Sequence, residues 1–204
     1  NKFKIDAEYN AYHLDSDIAF KNFIQNHDFY GLNITAPYKK SVINYLESMD
    51  SNTIQSNNSN CIIKKDKHLI GYNTDIFGFE MLLRKNNIEI NSDVIILGSG
   101  STASTVTSYL KNINFQNKLY LHSTNNITAN QLITLYSDMN IFKFVNQIVN
   151  MKYIVINCSP IRNILDNKEF SNIIDNRNCD LIIDINYDFD CSENPGSYIN
   201  GNDM

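Results

Sequence analysis

The sequence lacks any long apolar run. About 20 consecutive apolar residues are needed to span a bilayer, and no segment of the 204 residues approaches that length. The first residues also lack the apolar segment of a secretory signal peptide. We therefore predict a protein that neither crosses a membrane nor is exported, and we expect a cytoplasmic location.

Positive charge is also scarce. The chain has 17 Lys and Arg residues against 22 Asp and Glu residues, which gives a net charge of -5 and a pI of about 5.3. A surface that binds nucleic acid needs a stripe of basic residues, often with aromatic side chains between them. The sequence contains no such stripe, so we expect no nucleic-acid partner.

Cysteine and histidine are few and scattered. No CxxC pair or other metal-ligand spacing occurs among the four cysteines and four histidines. A zinc site is therefore not expected, and the spacing is typical of a cytoplasmic protein with reduced thiols. The residues are Cys61, Cys158, Cys179, Cys191, His13, His27, His68 and His122.

Short apolar segments alternate with polar ones along the chain. Hydrophobic residues make up 43% of the sequence, which is enough for one large domain or two small ones with cores of their own. Residue spacing also predicts the elements of residues 3–73. They are a strand over Phe3–Leu14, a helix over Asp17–Asn26, a strand over 31–35, a helix from Pro37 to Met49, a loop over Ser51–Asn60 and a hairpin over Cys61–Asn73.

The pattern changes after Asp75. A helix is predicted from Asp75 to about Asn86, and Val94–Leu97 is a short continuous apolar segment typical of a buried parallel strand. Similar segments occur in "KLYLHS", "YIVINCSP" and "DLIIDINY". Strands of this kind separated by helical segments predict a doubly wound parallel sheet, so we predict an α/β fold with two lobes.

A glycine-rich turn lies between the first of these strands and a predicted helix. In "GSGSTAS", Gly98 permits a tight turn, Gly100 lets the backbone approach a ligand, and the helix N-terminus offers free N–H groups to a pyrophosphate. Ala103 replaces the third glycine of the dinucleotide-binding pattern. The motif alone is also compatible with a purely structural turn.

The end of the next strand normally selects the cofactor. An acidic residue there binds the ribose 2′-hydroxyl of NAD, and an arginine accommodates the 2′-phosphate of NADP. The sequence has His122, Ser123 and Thr124 at this position. These residues alone do not decide between NAD and NADP.

Four segments together resemble the shikimate dehydrogenase family. "NITAPYK" resembles the family's N-V-T-x-P-x-K, "GYNTD" its G-x-N-T-D, "LGSGSTAS" its G-A-G-G-A turn, and "NCSP" its N-A-T-P. Their order and spacing match over essentially the whole chain. "INGNDM" also resembles the D-G-x-G-M segment that precedes the family's last helices.

The resemblance implies a role for each matching residue. Lys39 and Asp75 would be the catalytic pair. Substrate contacts are implied for Thr35, Asn60, Asp75 and Tyr187, the last near the substrate carboxylate. The cofactor contacts implied are Gly98, Ser99, Gly100, Ser101, Thr102, Ala103, Ser123, Thr124 and Asn157.

The resemblance also implies a division into domains. Residues 1–75 would form an α/β substrate-binding and catalytic domain, and residues 76–204 a Rossmann-like domain that binds NADP. We expect the first domain to be incomplete at its N-terminus and the C-terminal helices of the second to be missing. The family's serine pair for the substrate carboxylate would lie before Asn1, and its glutamine would lie after Met204.

One departure concerns the cofactor. The family usually has N-R-T after the second strand of the cofactor domain, where this chain has His122, Ser123 and Thr124. The arginine that clamps the 2′-phosphate is therefore absent, which weakens the case for NADP. We expect NADP by family precedent and keep NAD as possible.

Lys39 and Lys40 fall in the first turn of the helix predicted from Pro37. The free N–H groups there disfavour a cation by about 0.3–1 kcal/mol, so a lysine at this place gives up its proton more readily. Reduction of a ketone by hydride needs a proton donor beside the carbonyl. We hypothesise that Lys39 is this general acid and base, with Asp75 as its partner.

Each site residue also has a structural interpretation. Lys39 and Lys40 are compatible with a solvated helix turn, and Asp75 with an N-cap. Thr35 and Asn60 are compatible with turn or loop residues. Asn157 fits a turn after a strand, and Tyr187 fits a core or rim position. Only the joint order of the motifs favours the functional interpretation.

The leading hypothesis is an oxidoreductase that interconverts 3-dehydroshikimate and shikimate with NADP(H). The alternatives are an NAD-dependent quinate/shikimate dehydrogenase and a homologue that binds a shikimate-like metabolite without turnover. We expect a small-molecule substrate as partner, no nucleic acid, no membrane, and a monomer or homodimer.

Overall fold

Two β-sheets organise the chain. The computed structural model describes residues 6–144, 152–161, 164, 167–168, 170–174, 178–185 and 198–200. Within these residues, the first sheet contains four strands and the second contains six. With helices packed against both sheets, the architecture confirms the predicted α/β fold with two lobes.

The first sheet is small and mixed. Its order is β1-β3-β4-β2, with β3 antiparallel to both neighbours and β2 parallel to β4. Helix α1 covers it, because Phe20 and Ile24 enter the core of this sheet. The elements are α1 (Asp17–Asn26), β1 (Gly31–Asn33), β2 (Ser48–Met49), α2 (Ser51–Ser56), β3 (Cys61–Lys65) and β4 (His68–Tyr72). The predicted helix, first short strand and hairpin are confirmed.

The second sheet is parallel throughout. Its order is β10-β9-β8-β5-β6-β7, and every pair of neighbours runs in the same direction. The chain passes from β5 outward to β7 and returns to the other side of β5 with β8. The strands are β5 (Asp93–Leu97), β6 (Leu119–His122), β7 (Ile141–Lys143), β8 (Tyr153–Asn157), β9 (Cys179–Asp184) and β10 (Tyr198–Asn200).

Apolar cores lie on both faces of the second sheet. One contains Phe79, Leu82 and Val106 from α3 and α4, and the other contains Ile173 and Ile174 from α6. Strand β5 is buried along its whole length, as its continuous apolar sequence predicts. The helices are α3 (Asp75–Lys85), α4 (Ser101–Asn112), α5 (Asn126–Leu135) and α6 (Ser171–Ile174).

The topology determines where a ligand fits. Strand order reverses between β5 and β8, so the connections that follow these strands diverge and leave a crevice at their carboxyl ends. The glycine turn after Leu97 and the segment after Asn157 meet there, and the Cys158 N–H donates to the Leu97 carbonyl at 2.8 Å. Helix α3, which begins at Asp75, leads from the first sheet to the second.

The helix predicted from Pro37 to Met49 is wrong. Residues 36–40 form a turn, a short 3-10 helix follows over Ser41–Tyr45, and β2 follows it. Tertiary hydrogen bonds replace the helical ones. The Lys39 carbonyl accepts from the Ser59 N–H at 2.8 Å, and the Asp50 N–H donates to the Gly71 carbonyl at 3.0 Å.

Two further predictions are wrong. The described part of the predicted first strand, from residue 6 to Leu14, has no regular secondary structure. The polar stretch predicted as a loop contains α2, which begins after Asp50 because the Asp50 carboxylate accepts from the Thr53 N–H at 2.7 Å. This N-cap compensates for the weak helix propensity of Ser, Asn and Thr.

Candidate active site

A cleft of about 660 Å³ lies between the first sheet and the carboxyl ends of β5 and β8. Lys39, Thr74 and Asp75 line one side of it, and Gly100, Ser101 and Thr102 line the other. The residues that follow β8, including Cys158, close its floor. Its size suits a small metabolite beside part of a dinucleotide.

Lys39 and Asp75 meet at the mouth of this cleft. The Lys39 Nζ donates to the Asp75 Oδ2 at 2.6 Å. Their side chains are 17% and 34% exposed, respectively, so the pair is partly shielded and still open to a ligand. A partly buried pair is held more firmly than a surface pair, because solvent screens it less.

Lys39 does not lie in the first turn of an α-helix, contrary to the prediction. Lys39 lies in the turn before the 3-10 helix, whereas Asp75 is the first residue of α3. A carboxylate at a helix N-terminus is stabilised by the partial positive charge there. Asp75 therefore lies where α3 supports a negative charge, and its carboxylate contacts the Lys39 Nζ.

Asn60 completes the surroundings of the carboxylate. Its Nδ2 donates to the Asp75 Oδ1 at 2.6 Å and to the Thr74 Oγ1 at 2.9 Å. Its Oδ1 accepts from the Thr74 N–H at 2.8 Å, which fixes the orientation of the amide because only oxygen accepts there. Both Asp75 oxygens are thus held by side chains from the first lobe.

Thr74 is a site residue that the sequence analysis missed. It lines the cleft beside Asp75, and its hydroxyl and N–H both contact the Asn60 amide. Its position inside "GYNTD", directly before Asp75, was an available signal. Threonine directly before a helix is typical of an N-cap, yet the Thr74 side chain makes no capping hydrogen bond.

The glycine turn is built for close approach. Gly98 has a φ of 101°, and a Cβ there would lie 3.0 Å from the backbone of Cys158 and Ser159. A Cβ on Gly100 would meet nothing within 4 Å, so the space beside it is open. Gly100 also caps α4 without a side-chain hydrogen bond, so the N–H groups of the first turn stay free for an anion.

The first lobe is similar to a known substrate-binding domain. Residues 1–62 match the family model described as the shikimate dehydrogenase substrate binding domain. An NADP(+) shikimate dehydrogenase from Pelagibacter ubique is 34% identical over 148 residues, covering 70% of this chain and 55% of the relative. One from Clostridium botulinum is 28% identical and covers 100% of this chain and 82% of the relative.

The chain is similar to shikimate dehydrogenases over its whole length.

The fold agrees with solved structures of this family. Shikimate dehydrogenase 1 from Peptoclostridium difficile has a TM-score of 0.74 at 24% identity, covering 92% of this chain and 69% of that one. The Aquifex aeolicus enzyme has a TM-score of 0.71 at 19% identity, covering 92% and 71%. The chain spans only 55% of the Pelagibacter relative and 43% of one from Thermoplasma acidophilum.

The family motifs do not all converge on the cleft. Lys39, Asn60 and Asp75 are brought together by the hydrogen bonds described above. Thr35 is exposed and does not line the cleft, and its hydroxyl donates to the adjacent Ala36 carbonyl at 3.4 Å. Tyr187 lies outside the described residues.

The residues of the glycine turn divide between cleft and core. Ser101 and Thr102 line the cleft with Gly100, whereas Ala103 is fully buried in the core beneath α4. The third glycine of the dinucleotide motif serves close helix–strand packing, and alanine is small enough for it here. Ala103 therefore contributes packing rather than contact.

Ser99 belongs to a cluster of three hydroxyl groups at the ends of β5 and β6. Its Oγ lies 2.7 Å from the Ser123 Oγ and 2.5 Å from the Thr128 Oγ1. Thr124 follows and is exposed. Ser123 thus occupies the place of the family arginine with a short neutral side chain.

Asn157 uses its amide inside the protein. It is fully buried, and its Nδ2 donates to the Asp184 Oδ1 and the Ile161 carbonyl, each at 3.0 Å. Its Oδ1 accepts from the Ser159 N–H at 3.1 Å. Asn157 therefore shapes the turn at the cleft floor, which fits its structural interpretation, and it is also one of the residues that line the cleft.

Cys158 is a second residue that the sequence analysis did not single out as part of the site. It lines the cleft where the family motif has alanine. Burial and then the nearby Asp184 carboxylate raise the pKa of its thiol well above the usual range. The thiol is therefore neutral at physiological pH and is a poor nucleophile.

The described part of the chain contains neither a candidate metal site nor a membrane-spanning helix. Among residues 6–144 and the later described segments, no group of three or more His, Cys, Asp or Glu side chains could hold a metal ion. No helix in those segments is long and apolar enough to cross a membrane.

Proposed function

We propose that this protein catalyses the reversible reduction of 3-dehydroshikimate to shikimate with NADPH. The contact that carries the proposal is the one between Lys39 and Asp75, at 2.6 Å in the mouth of the cleft. The curated relatives are named NADP(+) shikimate dehydrogenases. Because the chain covers about half of the first of these relatives, the activity is inferred from the site.

The residues around the glycine turn fit a dinucleotide. The first turn of α4 has no side-chain cap, and the space beside Gly100 is open. A pyrophosphate would accept hydrogen bonds from the N–H groups of Ser101 and Thr102. When bound, the reduced nicotinamide supplies the hydride for the carbonyl carbon.

The side chains of this protein carry out the proton transfer of the reaction. As hydride adds to the carbonyl carbon, the oxygen gains negative charge and needs a proton. The Lys39 Nζ donates that proton, which gives a neutral alcohol and a neutral amine. In the direction of shikimate oxidation, the amine accepts the hydroxyl proton again.

Asp75 and Asn60 orient the reacting groups. The Asp75 carboxylate holds the Lys39 Nζ in place through the 2.6 Å contact. Asp75 lines the cleft and would also bind the ring hydroxyls, together with Asn60, whose amide contacts its Oδ1. We include Thr74 among these proposed substrate contacts, because its hydroxyl belongs to the same hydrogen-bonded group.

In this arrangement the two lobes would bind different ligands. We propose that residues 1–75 bind the substrate and that residues 76–204 bind the cofactor, with Asp75 at the boundary. Lys39 and Asn60 come from the first part, and the glycine turn comes from the second. The cleft between the lobes then brings both ligands together and excludes water when it closes.

An NAD-dependent quinate/shikimate dehydrogenase is the second candidate function. The observation that favours it is Ser123, which gives the strand end no cation for a 2′-phosphate. A structurally similar shikimate 5-dehydrogenase from Listeria monocytogenes was solved with shikimate and NAD. NADP remains our first proposal, because the named relatives use it.

One set of assays tests these functions together. Purified full chain is incubated with shikimate or quinate and with NADP⁺ or NAD⁺, and the absorbance of the reduced cofactor is followed. We expect the fastest turnover with shikimate and NADP⁺. Faster turnover with NAD⁺ would favour the second candidate, and shikimate binding without reduction in any mixture would favour a binding protein.

A further inference from the structure

A buried polar cluster joins the two lobes beneath the cleft. We define it as Ser56, Asn58, Asn73, Ser104 and Thr105, each of which is at most 2% exposed. Ser56 and Asn58 come from α2 and the loop after it, Asn73 precedes α3, and Ser104 and Thr105 lie on α4. Polar groups are costly to bury unless they are hydrogen-bonded, so such a cluster needs a reason.

Asn73 is the centre of this cluster. Its Nδ2 lies within donor distance of the Ser56 Oγ at 2.7 Å, the Asn58 Oδ1 at 3.0 Å and the Thr105 Oγ1 at 3.1 Å. Its Oδ1 accepts from the Asp75 N–H at 3.1 Å. The orientation of the amide is fixed, because a backbone N–H requires an oxygen opposite it.

Asn73 therefore contacts both halves of the proposed active site. Through Asp75 it holds the first turn of α3, which carries the carboxylate bound to Lys39. Through Thr105 it holds α4 one turn after Ser101, where the free N–H groups lie. No solvent reaches Asn73, so these hydrogen bonds are not exchanged for bonds to water.

We propose that Asn73 is a positioning residue that fixes the Asp75 carboxylate relative to the cofactor-binding helix α4. The inference rests on the proposed function, because it assigns the residue a role in that reaction. Proton and hydride must reach one carbonyl group together, and a misplacement of about 1 Å can lower a rate about a hundredfold. A buried amide bonded to both elements limits such misplacement.

A structural role alone would give a different result from a positioning role. Loss of stability lowers the amount of folded protein, whereas misalignment lowers kcat in the folded fraction and leaves the KM values largely unchanged. Two conservative variants separate a loss of stability from a misalignment of the site. Asn73→Ser keeps an oxygen that can accept from the Asp75 N–H and is too short to reach α4. Thr105→Val removes only the α4 hydroxyl, and because Thr105 also lines the cleft, the KM values report any direct effect on ligand binding.

Ser104→Ala is the matched control. Ser104 belongs to the same cluster and donates to the Ser56 carbonyl at 2.6 Å, yet none of its described hydrogen bonds involves Asn73. It also does not line the cleft. We expect this variant to lower the melting temperature while kcat stays within about twofold of wild type.

The experiment measures kcat, the KM values for shikimate and NADP⁺, and the melting temperature of the wild-type full chain and its variants. We expect Asn73→Ser and Thr105→Val each to lower kcat at least about tenfold with KM changes below about threefold. The double variant should be no slower than Asn73→Ser, because both changes break one connection. Values of kcat within twofold of wild type in both single variants would overturn the positioning role.

A second measurement does not depend on turnover. Hydrogen exchange of the Asp75 amide should be at least about tenfold faster in Thr105→Val than in wild type and unchanged in Ser104→Ala. If wild-type protein oxidises no shikimate, the proposed function fails and this measurement alone decides whether Asn73 ties Asp75 to α4. Equal exchange in wild type and Thr105→Val would overturn that link.

Discussion

The Lys39 Nζ and the Asp75 Oδ2 lie 2.6 Å apart, although 36 positions separate the two residues in the chain. The first belongs to a turn beside the small sheet, and the second begins the helix that leads to the large one. Their contact is a direct consequence of how the two lobes pack. It supplies a proton donor and its orienting group at the edge of one cleft.

Replacing Lys39 tests the proton donor. Lys39→Ala should lower kcat at least about a hundredfold, because general acid catalysis commonly contributes that much. Steady-state assays of shikimate oxidation give the value. Lys40→Ala is the control, since Lys40 is the adjacent lysine, is half-buried and does not line the cleft. Similar losses in both variants would contradict a specific role for Lys39.

Replacing Asp75 tests whether the two residues act as a unit. Asp75→Asn keeps the size of the side chain and an oxygen for the Asn60 amide, and it removes the charge that holds Lys39. We expect kcat to fall about tenfold to a hundredfold. The double variant Lys39→Ala with Asp75→Asn should be barely slower than Lys39→Ala, because coupled residues are not additive. Fully multiplicative losses would show independent roles.

The glycine turn offers a test with two neighbouring glycines. Gly98→Ala should reduce the free energy of unfolding by roughly 1–3 kcal/mol, because the φ of 101° strains an alanine and its Cβ would lie 3.0 Å from the backbone after β8. Gly100→Ala should unfold like wild type, since its φ is -77° and nothing lies within 4 Å of its Cβ. Urea titration of both variants measures the difference.

The same pair separates folding from cofactor binding. Gly100→Ala places a methyl group where the pyrophosphate approaches the backbone, so the Kd for NADP⁺ should rise about tenfold or more. Isothermal titration calorimetry with NADP⁺ gives the value. An unchanged Kd in Gly100→Ala would mean that the dinucleotide lies elsewhere, whatever the stability of the variant.

The elements that the sequence predicted correctly are those determined by local residue patterns. Helix α1, the β3–β4 hairpin and strand β5 were predictable because apolar spacing and turn residues act over a few positions. The segment after Pro37 was not, because its backbone bonds to residues far along the chain, such as Ser59. Residue spacing cannot show a competing tertiary hydrogen bond.

The same distinction between local signals and tertiary contacts holds for the candidate site. Matching motifs singled out Lys39, Asn60 and Asp75, and the structure brings them together. Asn73 carries no sequence signal beyond its place in "GYNTD", because its importance arises from contacts with α2 and α4 rather than from its neighbours in the chain. Thr35 matched its motif equally well and lies outside the cleft. A motif thus locates a segment, whereas the fold decides which side chains face the ligand.

Ser123 allows a test of cofactor choice. An arginine can form paired hydrogen bonds with a 2′-phosphate, so Ser123→Arg should raise the ratio of kcat/KM for NADP⁺ over NAD⁺ about tenfold. Ser123→Ala is the control, because it also removes the contact with Ser99 and adds no charge. A ratio that changes equally in both variants would show that the hydroxyl cluster, and not the missing cation, governs the preference.

We expect the folded protein to lose stability in alkaline solution because of the Cys158 thiol. Its pKa is raised in the folded protein by burial and by Asp184, whereas a thiol in the unfolded chain titrates near 8.5. Below that pH both states hold the proton, and the thiol adds no pH dependence. Above it the unfolded state loses the proton first. The free energy of unfolding therefore falls as pH rises, by up to about 1.4 kcal/mol per pH unit for this group.

Other buried groups add to the same trend, so the difference between two proteins isolates Cys158. Burial also raises the pKa of Cys179 to about 11 and that of Tyr136 to about 12. Cys158→Ala carries the residue of the family motif and leaves those groups in place. Urea unfolding at pH 8 and pH 10 should show a smaller decrease in this variant, by roughly 1–2 kcal/mol. Equal decreases would mean that the Cys158 thiol ionises as readily in the folded protein as in the unfolded chain.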